Sequence, residues 1–547
     1  MCGIFAYIFN KNIYLMDLNF RKKIFREFVK TQHRGPDNSI FRNIKNHIIF
    51  GFHRLAIVDT TIKGNQPFEH KGIYLICNGE IYNHDKLTND NDFVTFSNSD
   101  CEVIIHLYLK YGIERTIKML DGVFAFVLYD SHKNLFHVSR DHIGVRSLYL
   151  GFDEESICFS SEMKSMVNIS NNINLFPPGT LMSIHEDVLG NLKKFNPNKF
   201  YIKCNSFDLW DNPSYETSLD ETKKQLKYLF TKAVNKRLMS DRQVGCLLSG
   251  GLDSSLVTAL VAKNFAPGEL HTFSIGMFGA TDLKYARMVA EHIGSTHHEI
   301  IVTEKQMLEA IEKTIYYIES WDTTTIRAST PMVLLCEYIK KNTNVTVIYS
   351  GEGSDEASGS YMYFHNAPNN QEFHKETIRL IKDLQYFDVL RCDKSVSSAG
   401  LEARVPFLDK EFLNFYMTIN PKYKIPFEGV EKYLLRSSFD DTNLLPKEVL
   451  WRTKEAFSDG CSTEQRSWYE ILQEHIEIKY TDKAFKSLSL KHSFERPKTK
   501  EALYFRHVFL EHFNGHDKII PYYWLPKWSG EISEPSARIL PIYKKNK

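Results

Sequence analysis

A cysteine stands at the second position of the chain, in the stretch "MCGIF". Removal of Met1 would give Cys2 a free α-amino group, whose pKa of about 7.7–8.0 leaves a basic fraction at neutral pH. One residue would then carry both a nucleophile and the base that activates it, as N-terminal threonine does. A match this short often arises by chance, so a cysteine without a chemical role is the alternative.

A second stretch, "VGCLLSGGLDSSLVTAL", contains residues suited to phosphate binding. We expect a buried strand over 244–248, a glycine turn, and a helix from about Ser254. Glycines let a backbone approach an anion, and a helix N-terminus offers unpaired N–H groups. The hydroxyls of Ser249 and Ser255 are further donors, and Asp253 is a hard oxygen ligand suited to Mg²⁺. The lysine-containing P-loop pattern is absent, and a capped glycine turn is the structural alternative.

Carboxylates follow another predicted strand, in "VIYSGEGSDEASGSY". Glu352, Asp355 and Glu356 lie in this glycine-rich turn, where carboxylates can bind a metal or act as a base. A solvated polar turn is the alternative. Open α/β sheets bind ligands at the carboxyl ends of their strands, so two such loops favour a nucleotide site.

The composition excludes several classes of protein. The 547 residues suit two or three domains, and 43% hydrophobic with 25% charged residues is typical of globular chains. A formal net charge of +1 argues against a nucleic-acid partner. The nine cysteines form no C-x-x-C pair, which favours a reducing compartment. We find no signal peptide and no apolar segment near the ~18 residues of a membrane span, and therefore expect a cytoplasmic protein without a membrane partner.

The element pattern changes along the chain. Short strand-like runs such as "VFAFVLYD" and "LFHVSRD", with a helical pattern in "LNFRKKIFREFVKTQ", predict an α+β domain over 2–190. The stretch "KKFNPNKFYIKCNSFDLWDNPSYETS" reads as irregular, and we predict a linker over 191–216. Helices alternating with apolar strands then predict an α/β domain with a parallel sheet over 217–547.

These motifs together resemble known families. "SGGLDSS" resembles the pyrophosphate loop of the ATP-pyrophosphatase superfamily, which has an adenine nucleotide alpha hydrolase-like fold. With "SGEGSDE", "TTIRASTP", "GLEARVPFLD" and "KEAFSDG", it resembles the synthetase half of the glutamine-hydrolysing asparagine synthetases, and "YYWLPKW" and "PSARIL" resemble their eukaryotic-type branch. "MCGIF", "HRGPD", "HRLAIVD", "NGEIYNH" and "SDCE" resemble the class II glutamine amidotransferases. This second resemblance implies an N-terminal-nucleophile fold of stacked antiparallel sheets between helices.

The resemblance implies how the first half acts. Cys2 would attack the glutamine side-chain amide, and the Asn78 side chain and Gly79 N–H would stabilise the anionic intermediate. The implied glutamine-binding residues are Arg54, Asn78, Gly79, Glu80 and Asp100. The arginine would clamp the α-carboxylate as a bidentate donor, and the two carboxylates would hold the ammonium.

The resemblance also implies a substrate set for the second half, namely ATP, aspartate and Mg²⁺. The implied ATP-binding residues are Leu247, Ser249, Gly250, Gly251, Asp253, Ser254, Ser255, Ile275, Ser350 and Gly351. The implied metal ligands are Asp253 and Asp355. Glu352 is the candidate proton acceptor for the attacking ammonia, and Lys454 would offset developing negative charge. Thr324 and Arg327 match positions linked to aspartate and its acyl-adenylate.

Three positions depart from the family pattern. Ser147 replaces a usual proline, and Ser358 and Ser360 replace an aromatic residue and a glycine. The expected reaction converts aspartate, glutamine and ATP to asparagine, glutamate, AMP and pyrophosphate through β-aspartyl-AMP. A ligase for a different carboxylic acid and a catalytically silent homologue are the alternatives, and a homodimer is the candidate assembly. Beta-lactam synthetases share the two-domain plan, but Cys2 argues against them.

Overall fold

The computed structural model describes residues 1–10, 18–204, 208–211, 213, 218–452, 457–463 and 466–536. They form two compact units. The first comprises Met1–Ser206 with two short segments, Met239–Arg242 and Ser397–Glu402. The second comprises Phe207–Leu238, Gln243–Val396 and Ala403–Lys547. The domain limits expected from sequence stay a prediction.

The strands are β1 (Gly3–Phe9), β2 (Asn38–Lys45), β3 (Ile48–Arg54), β4 (Phe68–His70), β5 (Ile73–Ile81), β6 (Gly122–Asp130), β7 (Leu135–Arg140), β8 (Tyr149–Phe152), β9 (Ser156–Ser160), β10 (Asn172–Leu175), β11 (Thr180–His185), β12 (Tyr201–Lys203), β13 (Val244–Leu247), β14 (His271–Gly276), β15 (Thr296–Ile301), β16 (Val347–Tyr349) and β17 (Glu402–Arg404).

The α-helices are α1 (Leu18–Val29), α2 (His84–Asp90), α3 (Val103–Tyr111), α4 (Ile113–Met119), α5 (Asp208–Asp211), α6 (Leu219–Asn235), α7 (Leu252–Ala262), α8 (Thr281–Ile293), α9 (Glu304–Glu309), α10 (Ile311–Ile318), α11 (Thr323–Asn342), α12 (Ser354–Ser358), α13 (Asn370–Asp383), α14 (Asp388–Ser397), α15 (Lys410–Thr418), α16 (Tyr433–Phe439), α17 (Lys447–Leu450), α18 (Phe457–Gly460), α19 (Trp468–Glu477), α20 (Asp482–Ser489) and α21 (Lys500–His512).

The first unit stacks two six-stranded sheets, ordered β10-β8-β9-β1-β3-β2 and β12-β11-β7-β6-β5-β4. Their strand pairs are antiparallel, as in the β1–β3 and β5–β6 ladders. β6 is apolar from Val123 to Leu128, in keeping with the cover on both of its faces. Ala125 and Val127 face the core between the sheets, whereas Phe126 and Leu128 pack towards α3. The predicted α+β class with stacked antiparallel sheets is confirmed.

The structure differs from the sequence expectation between residues 193 and 218. This stretch was expected to be irregular, but Tyr201–Lys203 forms β12 and pairs with β11 at the edge of the second sheet. Tyr201 also stacks edge-on against Phe176, with ring centroids 5.2 Å apart. The short strand was hidden in the sequence because its flanks are rich in polar turn residues.

The second unit contains a five-stranded sheet ordered β15-β14-β13-β16-β17. β13 pairs in parallel with β14 and with β16, and β14 pairs in parallel with β15. This confirms the predicted α/β class with a parallel sheet. β13 ends one residue earlier than predicted, and α7 begins at Leu252, two residues before the predicted start.

The helix α6 illustrates why the flanking helices form. Ser218 caps it by accepting a hydrogen bond from the Glu221 N–H. Its buried residues Leu226, Leu229, Phe230 and Ala233 recur at the spacing of one helical face. Among the helices of the described ranges, none is both long enough and apolar enough to cross a bilayer.

Two adjacent glycines give a test of the loop before α7. Gly250 has φ 74°, and a Cβ there would lie 2.5 Å from the Ala286 backbone nitrogen. Gly251 has φ −74°, and the nearest atom to its added Cβ is the Ser249 hydroxyl at 3.4 Å. We therefore expect Gly250→Ala to lower the free energy of unfolding by about 1–3 kcal/mol. Gly251→Ala should cost about 0.5–1 kcal/mol, because alanine is a poorer N-cap than glycine.

Denaturant unfolding of the two variants beside the parent chain measures both values. Equal losses in the two variants would contradict the assigned loop geometry.

Candidate active sites

Cys2 lies at the start of β1 in the first unit, with its thiol against the turn that follows β3. Its Sγ donates to the Leu55 carbonyl at 3.6 Å and accepts from the Leu55 N–H at 3.4 Å. Its carbonyl accepts from the Arg34 Nε at 3.0 Å. Burial raises the pKa of the Cys2 thiol to about 11. With Met1 attached, the thiol is therefore neutral at pH 7.

The Met1 amine is buried, and its charge opposes the burial-driven rise of the Cys2 pKa without cancelling it. It donates to the Leu401 carbonyl at 3.1 Å, and burial lowers its pKa to about 5. The α-nitrogen of Cys2 is meanwhile bound in a peptide bond. Chemistry by Cys2 through its own amine therefore requires removal of Met1.

Asn78 and Gly79 lie near the end of β5. The Asn78 side chain is fully buried, and its amide nitrogen and oxygen have no hydrogen-bond partner among the described residues. A buried amide without partners costs free energy, which a ligand that accepts and donates hydrogen bonds would recover. Gly79 opposes Phe124 on β6, and a Cβ at this position would collide with the Val123 carbonyl.

Arg54 ends β3 and is held by the turn that follows it. Its guanidinium donates to the carbonyls of Asp59 and Thr61, and to the Asn65 Oδ1 at 2.9 Å. A Cβ at Gly64 would collide with the same guanidinium. Burial lowers the pKa of Arg54, and a thiolate at Cys2 would act in the opposite direction. Arg54 and Cys2 are thus close enough to influence each other.

The carboxylates of Glu80 and Asp100 are both buried and lie at β5. The Asp100 Oδ2 accepts from the Ile81 N–H at 2.6 Å. Burial raises the pKa of Asp100, and this N–H opposes the rise. Glu80 contributes to the raised pKa of Cys2. The first unit therefore gathers Cys2, Arg54 and these carboxylates at one end of β1, β3 and β5.

The second unit has a cavity at the carboxyl ends of β13, β14 and β16. Predicted ATP and metal residues that line it are Leu247, Ser249, Gly251, Asp253, Ser254, Ile275, Ser350, Gly351 and Asp355. The predicted Glu352 and Thr324 line it as well. Gly250 and Ser255 belong to the same loop and helix but lie outside this set of lining residues. The parallel sheet thus brings both glycine-rich loops to one edge, as expected.

The loop after β13 is closed by its own hydroxyl groups. The hydroxyls of Ser249 and Ser254 lie 3.0 Å apart, and the Gly251 N–H donates to Ser249 at 3.3 Å. Gly251 is the N-cap of α7, whose first turn directs N–H groups to the cavity wall that Leu252–Ser254 form. This end of α7 has the donors and the dipole that favour an anion.

The comparisons with known proteins cover both units. A family model described as "Asparagine synthase" matches residues 225–372 and 365–537, and one described as "Glutamine amidotransferase domain" matches residues 1–195. The Homo sapiens protein "Asparagine synthetase (glutamine-hydrolyzing)" is 43% identical over 540 residues, which are 94% of this chain and 95% of that protein. Proteins of the same name from Bos taurus and Gallus gallus are 43% identical over 540 and 537 residues, with the same coverage. The chain belongs to the glutamine-hydrolysing asparagine synthetase family.

Sequence analysis missed one cation in the cavity of this family member. The Nζ of Lys432 lies 2.5 Å from the Asp253 Oδ2 and 2.5 Å from the Asp355 Oδ1. Lys432 is 3% exposed and has φ 58°, a left-handed conformation uncommon for lysine. It precedes α16, far in sequence from both carboxylates, and no local motif marks it. Both predicted metal ligands therefore converge on one cation of the protein itself.

Glu352 also has a partner that the sequence did not reveal. Its Oε2 accepts from the Arg391 Nη2 at 2.6 Å, and this nitrogen also lies 2.7 Å from the Asp388 Oδ1. Burial raises the pKa of Glu352 to about 7, although the Arg391 charge opposes the rise. Glu352 can therefore both take and release a proton near neutral pH.

Of the two residues predicted to contact the aspartate substrate, one lines the cavity and the other does not. The Thr324 hydroxyl is buried without a hydrogen-bond partner among the described residues, and Thr324 lines the cavity. Arg327 lies one helical turn further along α11, outside the lining set. Its guanidinium forms ion pairs with Glu501 at 2.5 Å and Glu534 at 2.7 Å. Lys454 lies outside the described residues.

The three departures from the family pattern form local hydrogen bonds. The Ser147 hydroxyl donates to the Ser161 carbonyl at 2.8 Å. The Ser358 hydroxyl donates to the Ser354 carbonyl at 2.5 Å. The Ser360 hydroxyl donates to the Asp355 Oδ1 at 2.5 Å, so it touches a predicted metal ligand.

The contacts of Lys432 generate a prediction for metal binding. Lys432→Met leaves two carboxylates facing each other without their shared cation, and like charges at this distance repel. We expect the Mg²⁺ affinity of the nucleotide-free chain to rise at least about tenfold, since two carboxylates suit Mg²⁺. The free energy of unfolding without Mg²⁺ should fall by about 3 kcal/mol, as when one partner of a buried ion pair is removed.

Isothermal titration with Mg²⁺ in the absence of nucleotide measures the first effect. Lys422→Met, at an exposed lysine, is the matched control and should change neither quantity. A Mg²⁺ affinity of the Lys432 variant equal to that of the parent would count against this arrangement of charges.

Proposed function

We propose that this chain makes L-asparagine from L-aspartate, with L-glutamine as the nitrogen donor and ATP as the activating substrate. The products are asparagine, glutamate, AMP and pyrophosphate, and the intermediate is β-aspartyl-AMP. The observation that carries the proposal is 43% identity over 94% of the chain to proteins named as glutamine-hydrolysing asparagine synthetases. The two candidate sites, one in each unit, support the proposal because they would supply the groups that this reaction needs.

In the glutaminase unit, we propose that Cys2 is the nucleophile once Met1 is removed. The freed amine would accept the thiol proton as sulfur attacks the glutamine amide, and a thioester and ammonia would result. The unpartnered Asn78 amide and the Gly79 N–H would bind the anionic oxygen of the intermediate. Arg54 would bind the α-carboxylate, and Glu80 with Asp100 would bind the ammonium.

In the synthetase unit, we propose that the first turn of α7 binds the β- and γ-phosphates of ATP. Ser249, Ser254 and the N–H groups of the loop would donate to them. Leu247 and Ile275 lie at the ends of adjacent strands, where apolar side chains suit the adenosine part. The aspartate β-carboxylate would attack the α-phosphorus, and Glu352 would accept a proton from the attacking ammonia.

The carboxylates in this cavity fit a magnesium ion. Asp253 and Asp355 direct one oxygen each to the same point, which Lys432 now contacts. Within the described ranges no three His, Cys, Asp or Glu side chains converge as metal ligands, and Mg²⁺ in proteins is commonly held by one or two carboxylates together with substrate phosphates. When bound, Mg²⁺ would draw charge from the leaving pyrophosphate. Asp253 and Asp355 would hold it, and Lys432 is the cation beside both carboxylates.

We further propose a cytoplasmic location. All nine cysteines are thiols in this structure, which suits a reducing compartment. A homodimer stays a prediction.

The proposal predicts a labelled product. With ATP, Mg²⁺, aspartate and amide-¹⁵N glutamine, the Met1-processed chain should form ¹⁵N-asparagine with one AMP and one pyrophosphate per molecule. Cys2→Ala should lose this reaction and keep synthesis from added ammonia, because only the first site uses the thiol. Mass spectrometry of the products measures both.

Three other outcomes would each reject one part of this function. Glutamate without asparagine would reject aspartate as the acceptor acid. Neither product would favour a catalytically silent family member. Loss of ammonia-dependent synthesis in a folded Cys2→Ala chain would reject the division of labour between the two sites.

A further inference from the structure

Asp59 lies in the turn after β3, and its backbone holds Arg54 in place. Its carbonyl accepts a hydrogen bond from the Arg54 Nη2, and the Thr61 carbonyl accepts from Nη1. One oxygen of the Asp59 carboxylate, Oδ1, accepts from the Thr61 N–H at 2.9 Å and from the Thr61 hydroxyl at 2.6 Å. The carboxylate therefore holds the conformation of the turn whose two carbonyls bind the Arg54 guanidinium.

The other oxygen of the same carboxylate contacts a different segment. Oδ2 accepts from the Asn98 N–H at 3.0 Å, two residues before Asp100. From the other side, Glu102 accepts from the N–H groups of Phe96 at 2.7 Å and Ser97 at 2.8 Å. The segment that leads into Asp100 is thus held between two carboxylates, one of which belongs to the Arg54 turn.

The local environment keeps Asp59 charged and in one conformation. Burial acts to raise the pKa of Asp59, but hydrogen bonds from Thr61 and Asn98 and the Arg54 charge lower it below its usual value. Asp59 is 4% exposed, and its φ of 61° is a left-handed value that aspartate tolerates better than most residues. Its N–H donates to the Asp241 Oδ2 at 2.8 Å.

A second contact between the two segments is weaker. The Lys63 ammonium lies 5.3 Å from the centre of the Phe96 ring. Phe96 is 70% exposed, and exposed cation–π pairs contribute little. The buried carboxylate of Asp59 is therefore the stronger connection.

We propose that Asp59 is a positioning residue for the glutamine substrate. The α-carboxylate and α-ammonium of an amino acid share one carbon, so the groups that bind them must keep a fixed separation. Asp59 sets this separation because its carboxylate accepts hydrogen bonds both from the turn that holds Arg54 and from the segment that carries Asp100. The inference rests on the proposed roles of Arg54 and Asp100 in binding glutamine.

The substitution Asp59→Asn tests this role with little change of shape. An asparagine has one acceptor oxygen, so its NH₂ group must face an N–H donor either at Thr61 or at Asn98. We expect the KM for glutamine to rise about tenfold or more, the range expected for a lost hydrogen bond to a charged group. The kcat with glutamine should change less than about threefold, and the kcat and KM of ammonia-dependent synthesis should stay at parent values.

Asp153→Asn is the matched control in the same unit. The Asp153 Oδ1 accepts from the N–H groups of Glu155 and Ser156, both at 2.8 Å, in the turn between β8 and β9. Both bonds end on the same oxygen, so an asparagine can keep them, and the variant removes only the negative charge. The turn lies at the end of β1 opposite Cys2, since Ser156 pairs with Phe9. The variant should leave the KM for glutamine at the parent value.

Two further variants keep the result interpretable. Thr61→Val removes the hydroxyl donor to Asp59 and preserves the backbone N–H, and it should raise the KM for glutamine about two- to threefold. Arg54→Ala should raise it more than Asp59→Asn does. In the Arg54→Ala background, Asp59→Asn should add less than its effect alone, because part of its action runs through the guanidinium.

The outcomes separate the inference from the proposed function. A KM unchanged in Asp59→Asn but raised in Arg54→Ala would overturn the role of Asp59 and leave the glutamine clamp intact. A KM unchanged in both would overturn the clamp itself. Equal losses of glutamine- and ammonia-dependent activity in Asp59→Asn and Thr61→Val would also overturn the inference, because they indicate a general effect on folding.

Discussion

The synthetase unit depends on the pairing of Lys432 with Asp253 and Asp355. A buried charge without a partner is costly, and two carboxylates that face each other raise this cost further. One ammonium between them satisfies both and connects the first turns of α7 and α12 to the residue before α16. Under the proposed function this geometry suits a nucleotide, since a lysine and a divalent cation can share the charge of two carboxylates and a triphosphate. The stability of this cavity and the proposed binding of the nucleotide thus depend on the same three side chains.

In the glutaminase unit, hydrogen bonds rather than one ion pair hold the candidate site residues in place. Backbone carbonyls grip Arg54, the Ile81 N–H binds Asp100, and Leu55 contacts the thiol of Cys2. The Asn78 amide is the exception, since neither of its polar atoms has a partner among the described residues. Buried polar groups are usually satisfied, so such an exception in the middle of a fixed frame marks the place for a ligand. Hydrogen-bonded neighbours around one unsatisfied amide are the features expected of a preorganised ligand site.

The sequence predicted what is local and missed what depends on the fold. Both fold classes followed from strand and helix periodicity, and the loop "SGGLDSS" was assigned from the glycines and hydroxyls that stand next to each other. Lys432, Arg391 and Asp59 escaped notice, because each meets its partners only after distant segments fold together. The strand β12 was missed since three residues between turn formers give too short a pattern. Arg327 was matched by motif alone, and its two buried carboxylate partners lie more than 170 positions further along the chain.

Synthesis through β-aspartyl-AMP requires that the aspartate carboxylate attack the α-phosphorus of ATP. This step joins a carboxylate oxygen to phosphorus and breaks the bond to the β-phosphate. Attack of ammonia on the acyl carbon then leaves that oxygen on AMP. With both β-carboxylate oxygens of aspartate labelled with ¹⁸O, mass spectrometry should find one label in each AMP and one in each asparagine. AMP without label, with asparagine still formed, would contradict this mechanism, because the carboxylate oxygen would then leave by another route.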